Sequence, residues 1–118
     1  MDTGKIEGGC LCGSIVFQYE GPPNWTLHCH CESCRRATSS PMTTWISVPR
    51  SSFRFLKGAP RHFASSQGVR RGFCEQCGSP LTYESTRIPD EVHLYAASLV
   101  TGATVVPNRH VFVSEQLP

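Results

Sequence analysis

Apolar and polar residues alternate along short stretches of this chain instead of recurring every third or fourth position, which predicts strands and very little helix. Ile15, Phe17 and Tyr19 alternate with Val16 and Gln18, the pattern of a half-buried strand. Segments of this kind are predicted at 14–19, 26–29, 43–48, 53–56, 92–96 and 110–113, and only 31–38 reads as even briefly helical. The clusters Gly21-Pro22-Pro23, Ser39-Ser40-Pro41, Gly58-Ala59-Pro60 and Ser65-Ser66-Gln67-Gly68 read as turns, too closely spaced to be linkers between domains. The expected architecture is a single all-β domain over residues 1–118, built of twisted antiparallel sheets with at most a short helical turn at the middle cysteines.

A chain of 118 residues buries only a modest core, so something besides the core is expected to help hold it together. With 39% hydrophobic and 17% charged residues it is not a disordered chain. A net charge of +2 is too slight to argue for nucleic acid, and none is expected as a partner. The start, Met1 to Gly9, has no apolar stretch of the secretory kind, and no later run reaches membrane-spanning length. No membrane partner is therefore expected, and the cytosol is the expected compartment. Seven cysteines, an odd number in a reducing compartment, point to metal rather than disulfides.

All seven fall in three motifs: Cys10-Leu11-Cys12, Cys29-His30-Cys31-Glu32-Ser33-Cys34 and Cys74-Glu75-Gln76-Cys77-Gly78. If Cys10-x-Cys12 is extended, its two side chains point the same way and form a half-site on a strand. Cys74-x-x-Cys77-Gly78 brackets a tight turn in which glycine takes a positive φ, a knuckle-type half-site. A structural zinc takes four protein ligands, so Cys10, Cys12, Cys74 and Cys77 combine in one partition and tie distant parts of the chain together. A second partition joins Cys31 and Cys34 to Cys74 and Cys77. In the first, Cys29, Cys31 and Cys34 form an open site of three thiolates, the usual build of a catalytic metal, and are the candidate catalytic residues.

His28 and His30 flank Cys29 as candidate further ligands, or lie behind the site or face solvent. Arg35 and Arg36 follow Cys34 and are placed to offset its charge or hold a substrate carboxylate. His62, His93 and His110 read as sheet or surface residues, and Arg70-Arg71 as a solvated edge. Trp25, Trp45, Phe53, Phe55 and Phe73 read as core, with Trp45 and Phe73 also candidate pocket walls.

The order Cys-x-Cys, Cys-x-Cys-x-x-Cys, Cys-x-x-Cys-Gly resembles the glutathione-dependent formaldehyde-activating enzyme family, which includes centromere protein V-like domains. The resemblance rests on Gly9-Cys10-Leu11-Cys12-Gly13-Ser14, on His28 through Arg36, and on Phe73-Cys74-Glu75-Gln76-Cys77-Gly78-Ser79-Pro80-Leu81. It implies a β-tent of folded-over sheets with two zinc ions, one structural on Cys10, Cys12, Cys74 and Cys77 and one on Cys29, Cys31 and Cys34. It also implies a carbon–sulfur lyase that joins the glutathione thiol to formaldehyde as S-hydroxymethylglutathione, with Arg35 the candidate for binding the peptide. Two other classes compete: a binding module whose zincs are both structural, and a thiolate-based metal or redox sensor.

Overall fold

The computed structural model describes residues 4–100 and 105–118; Met1 to Thr3, part of the start examined above for a secretory signal, lie outside them. The elements in chain order are β1 (Lys5–Gly9), β2 (Val16–Glu20), β3 (Trp25–Cys29), α1 (Glu32–Thr38), β4 (Thr43–Pro49), β5 (Phe53–Lys57), β6 (Arg61–Ser66), β7 (Val69–Phe73), β8 (Pro80–Ser85), β9 (Glu91–Tyr95) and β10 (His110–Val111). They form two sheets, one ordered β1-β2-β5 and the other β10-β3-β4-β9-β8-β7-β6. Among the described residues every strand pairing is antiparallel except the short parallel one of β10 with β3. The fold is thus, among the described residues, all-β with one short α-helix, as expected.

Side-chain alternation assigns the two faces of the larger sheet. Ile46 and Val48 of β4, Leu81 of β8, and Val92 and Leu94 of β9 pack against Ile6, Ile15, Phe17 and Tyr19 of the smaller sheet's side. Fully burying side chains such as Phe17 or Leu94 contributes about 1.5–3 kcal/mol each. Leu27, Trp45 and Tyr95 belong to a second cluster with Cys29 and Cys34. The larger sheet therefore holds the core on one face and leaves the other for a site.

Beyond the six predicted segments, the structure adds β1, β6, β7 and β8. The Ser65–Gly68 cluster narrows to a turn at Gln67 and Gly68, the glycine taking φ +74°, while Ser65 and Ser66 finish β6. Arg70 and Arg71 are not at an edge: β7 lies between β6 and β8.

Glu84 on β8 is largely buried, with Arg50 Nη2 at 2.6 Å, Arg70 Nη2 at 3.3 Å and His62 Nε2 at 3.6 Å. Burial pushes its carboxyl up, but hydrogen bonds and charge from Arg50 and Arg70 outweigh it and hold the carboxyl below its usual range. A depressed folded-state pKa stabilises the fold above the unfolded value and loses that contribution as pH falls through the folded one. Glu84→Gln should therefore cost about 1–3 kcal/mol at neutral pH, between surface and buried ion pairs. Urea melts should show the gap to wild type closing as pH falls below about 4.

Candidate metal centres and active-site cavity

Two turns face each other across the first cysteine cluster. After β1, the Gly13 N–H donates to the Cys10 carbonyl at 3.2 Å, with Gly13 at φ +80°. After β7, the Gly78 N–H donates to the Cys74 carbonyl at 2.7 Å, with Gly78 at φ +78°. Cys10-x-Cys12 is accordingly a tight turn like its partner, not the extended pair expected, because Gly13 lets the chain reverse directly after Cys12. Leu11 N–H donates to Ser79 Oγ at 3.0 Å and so links the two turns.

The four sulfurs of Cys10, Cys12, Cys74 and Cys77 all lie within 4.8 Å of one another. Cys10 and Cys12 sulfurs are 3.7 Å apart, and Cys12 and Cys74 sulfurs 3.8 Å. These separations match the edge of a tetrahedron with metal–sulfur bonds of about 2.3 Å and greatly exceed a disulfide bond of about 2.05 Å. Donors already point at the sulfurs: the Ile15 N–H reaches Cys10 at 3.3 Å, and Ser79 Oγ lies 3.2 Å from Cys77. Hydrogen bonds from the Ser79 side chain and backbone bring the Cys77 thiol down to about 5. The partition that joins Cys31 and Cys34 to this turn is not the one the fold makes.

The second group is Cys29, Cys31 and Cys34, whose sulfurs also lie within 4.8 Å of one another. Cys29 ends β3; Cys31 caps α1, its sulfur accepting the Cys34 N–H at 3.3 Å; Cys34 sits in the first turn, buried. Three donors thus come from one strand end and one helix start. Cys29 donates to Cys34 at 3.9 Å, and this bond, together with bonds from Cys31 and Arg71, outweighs burial and brings Cys34 down to about 5. The same Cys29–Cys34 bond, reinforced by burial, pushes Cys29 well up. A metal at this cluster would need all three sulfurs ionised.

Neither flanking histidine joins the three sulfurs as a mutually close donor. His28 Nδ1 lies 2.9 Å from Thr44 Oγ1, and His30 Nε2 lies 2.8 Å from His110 Nδ1. Arg35 Nε donates to the His30 carbonyl at 3.3 Å, and Arg35 and Arg36 line a separate shallow depression with Ser39, Pro41 and Leu117.

The cation at the sulfurs is Arg71. Its Nη1 and Nη2 lie 3.9 and 3.8 Å from Cys34, its Nε donates to Ser65 Oγ at 3.1 Å, and its guanidinium covers the Tyr83 ring at 5.1 Å. Sequence reading missed it because the basic pair looks solvated locally. Strand register is the signal that finds it: Trp25 pairs with Ser47, Ser47 with His93, His93 with Tyr83, and Tyr83 with Arg71. That row crosses the sheet face opposite the core and runs toward the sulfurs.

A cavity of about 410 Å³ opens on this face, with the three cysteines in its wall. Every strand of the larger sheet contributes at least one lining residue. Trp45 lines it as expected, and Phe73 lines a neighbouring pocket with Ser33, Arg71 and Gly78. His93, expected in the sheet or at the surface, is buried in its wall, its Nε2 2.9 Å from Glu91 Oε1.

An all-β scaffold with a closed group of four sulfurs and an open group of three beside a cavity defines a cysteine-cluster domain with two sites able to bind metal ions. The chain belongs to the glutathione-dependent formaldehyde-activating enzyme family, whose pattern it matches over residues 5–115. It is 32% identical over 82 residues to an uncharacterized lyase of Schizosaccharomyces pombe, covering 70% of this chain and 59% of that one. It is 25% identical over 122 residues to a putative glutathione-dependent formaldehyde-activating enzyme of Halomonas elongata, covering 96% of this chain and 77% of that one. The match thus spans less than two thirds of the yeast lyase's length. In fold it resembles the crystal structure of a Rhodobacter sphaeroides protein, with a TM-score of 0.70 at 18% identity over 89% of this chain and 99% of that one. Among the described residues no helix is long and apolar enough to cross a membrane.

Proposed function

We propose that this chain is a single-domain, zinc-dependent enzyme of the carbon–sulfur lyase type that makes and breaks the adduct of a small thiol with an aldehyde. Glutathione and formaldehyde are the reactants that the family's description suggests. The observation that carries the reading is the placement of Cys29, Cys31 and Cys34, three sulfurs with no fourth protein donor among the described residues, in the wall of a cavity. Donor sets made only of thiolate favour zinc among common divalent ions. The four-sulfur group holds a structural zinc in this reading, since its donors are complete. Zinc at the three-sulfur group supplies a Lewis acid that keeps a substrate thiol ionised beside the aldehyde.

The chain's residues then bind and orient. In the addition, a sulfur lone pair forms the C–S bond, the carbonyl π pair moves onto oxygen, and the proton lost by the thiol ends on that oxygen. Arg71 offsets negative charge at Cys34. Arg35 remains the candidate for a thiol peptide's carboxylate, with Arg36 beside it. The seven free thiols suit a reducing compartment such as the cytosol.

Calorimetric titration of the zinc-loaded protein with glutathione tests the reading. Wild type should carry two zincs and bind the thiol, while Cys31→Ser should keep one zinc and lose binding. Absence of binding, or binding indifferent to the substitution, would leave a module with two structural metals.

A further inference from the structure

Resting on the thiol–aldehyde reading, we infer that the aldehyde this site takes carries an aromatic-sized apolar body, and that formaldehyde underuses the cavity. Size is the first argument. A carbonyl unit with only hydrogens attached is little larger than water, whose share of liquid volume is about 30 Å³, so beside an ion and the sulfur end of a thiol it leaves much of a cavity of about 410 Å³ unfilled. The cavity is in the range that fits an organic ligand with a ring.

Lining chemistry is the second. Beyond the sulfurs, the wall is dominated by Trp25, Leu27, Trp45, Val69, Tyr83 and Val111. The rings are set at angles that leave faces and edges to a guest: Trp45 stands edge-on to Tyr83 at 5.8 Å, and Trp25 edge-on to His93 at 4.6 Å. Arg71, the one Lys or Arg among the lining residues, has Nε on Ser65 and both Nη atoms on Cys34. A carboxylate inside the cavity would find no uncommitted cation, so the charged arms of a peptide thiol belong outside and the apolar body inside.

Phe112 is the third. It lines the cavity while 59% exposed, and it sits in the left-handed region at φ +56° and ψ +39°, which a residue with a bulky side chain rarely adopts. Strain of this kind persists where the surrounding structure imposes it, and it clusters at ligand sites. An apolar guest would cover this ring and explain a large hydrophobic residue held at the cavity wall in water.

The test measures hemithioacetal exchange by NMR on zinc-loaded protein with excess glutathione, comparing phenylacetaldehyde with formaldehyde. Each rate is expressed relative to its own uncatalysed rate. The acceleration for phenylacetaldehyde should exceed that for formaldehyde roughly 10-fold or more, the scale on which apolar pockets discriminate. Phe112→Ser, at an exposed position that poses little risk to folding, should reduce that ratio several-fold, as should Trp25→Ala with its thermal melt checked in parallel. Formaldehyde accelerated as strongly as phenylacetaldehyde, or a ratio untouched by both variants, overturns this inference and leaves the lyase reading standing. Acceleration of neither aldehyde overturns the lyase reading, and the inference with it.

Discussion

Stripping metal from the native protein should abolish its cooperative thermal transition, and Cys77→Ser should reproduce that loss with metal present. Structural zinc contributes on the order of 10–16 kcal/mol of apparent binding free energy, while whole domains of this size are stable by about 5–15 kcal/mol. Losing the first quantity from the second leaves nothing to fold with. The geometry says why the effect is global: the turn at Cys10 and Cys12 is clamped to the turn at Cys74 and Cys77, and Cys12 and Cys74 are 62 residues apart. One turn grows from the smaller sheet and the other from the larger, so the clamp also pins sheet to sheet. Cys31→Ser should be much milder, because Cys29 and Cys34 are only 5 residues apart and close a short loop. Calorimetry, circular dichroism and metal content measured on the same samples check this. A metal-free protein that melts normally would remove the folding role from the first cluster.

The second large effect is expected at Arg71. Arg71→Met keeps an apolar stem against Tyr83 but removes the fork that reaches Cys34. Groups behind metal ligands typically matter 10–100-fold for affinity, and metal retention at Cys29, Cys31 and Cys34 should weaken by roughly that factor in chelator competition. Arg71→Lys should rescue it only in part, since an ammonium cannot span Ser65 and Cys34 together. Melting should stay near wild type, because the four-sulfur clamp is untouched. Unchanged chelator competition would return Arg71 to the solvated role that its sequence context suggests.

The contrast between those two sites shows what the chain discloses locally. Cysteine spacing within each motif reflects short-range geometry, and the grouping into four and three followed from counting donors. Strands β3, β4 and β9 were legible because Leu27, Trp45, Ile46, Val48, Val92 and Leu94 concentrate apolar residues in short runs. Strands β1, β6 and β7 were not, since Gly8-Gly9, Ser65-Ser66 and Arg70-Arg71 carry turn or solvent signals. Strand β6 is exposed along its whole length, so burial imposes no pattern on it. Arg71 and His93 illustrate the harder limit. Their roles come from register across five strands, which puts them in one row with Trp25 and Tyr83, and no local window contains that row. Cys10-x-Cys12 was misjudged as extended although Gly13, the residue that turns the chain, stood beside it. His110 pairs with His30 across 80 residues, a contact made only once β10 lies parallel to β3.

Strand β7 carries Arg71 and, directly past its end at Phe73, Cys74. The two cysteine groups therefore share a mechanical element. Whatever free energy an ion at the four-sulfur clamp contributes to fixing β7 also fixes the guanidinium that faces Cys34, and thermodynamic linkage makes that influence reciprocal. On the proposed reading, metal loading would then be ordered: the clamp would fill on folding, the open cluster would gain its affinity afterwards, and a chain short of metal would lose its chemistry before its shape.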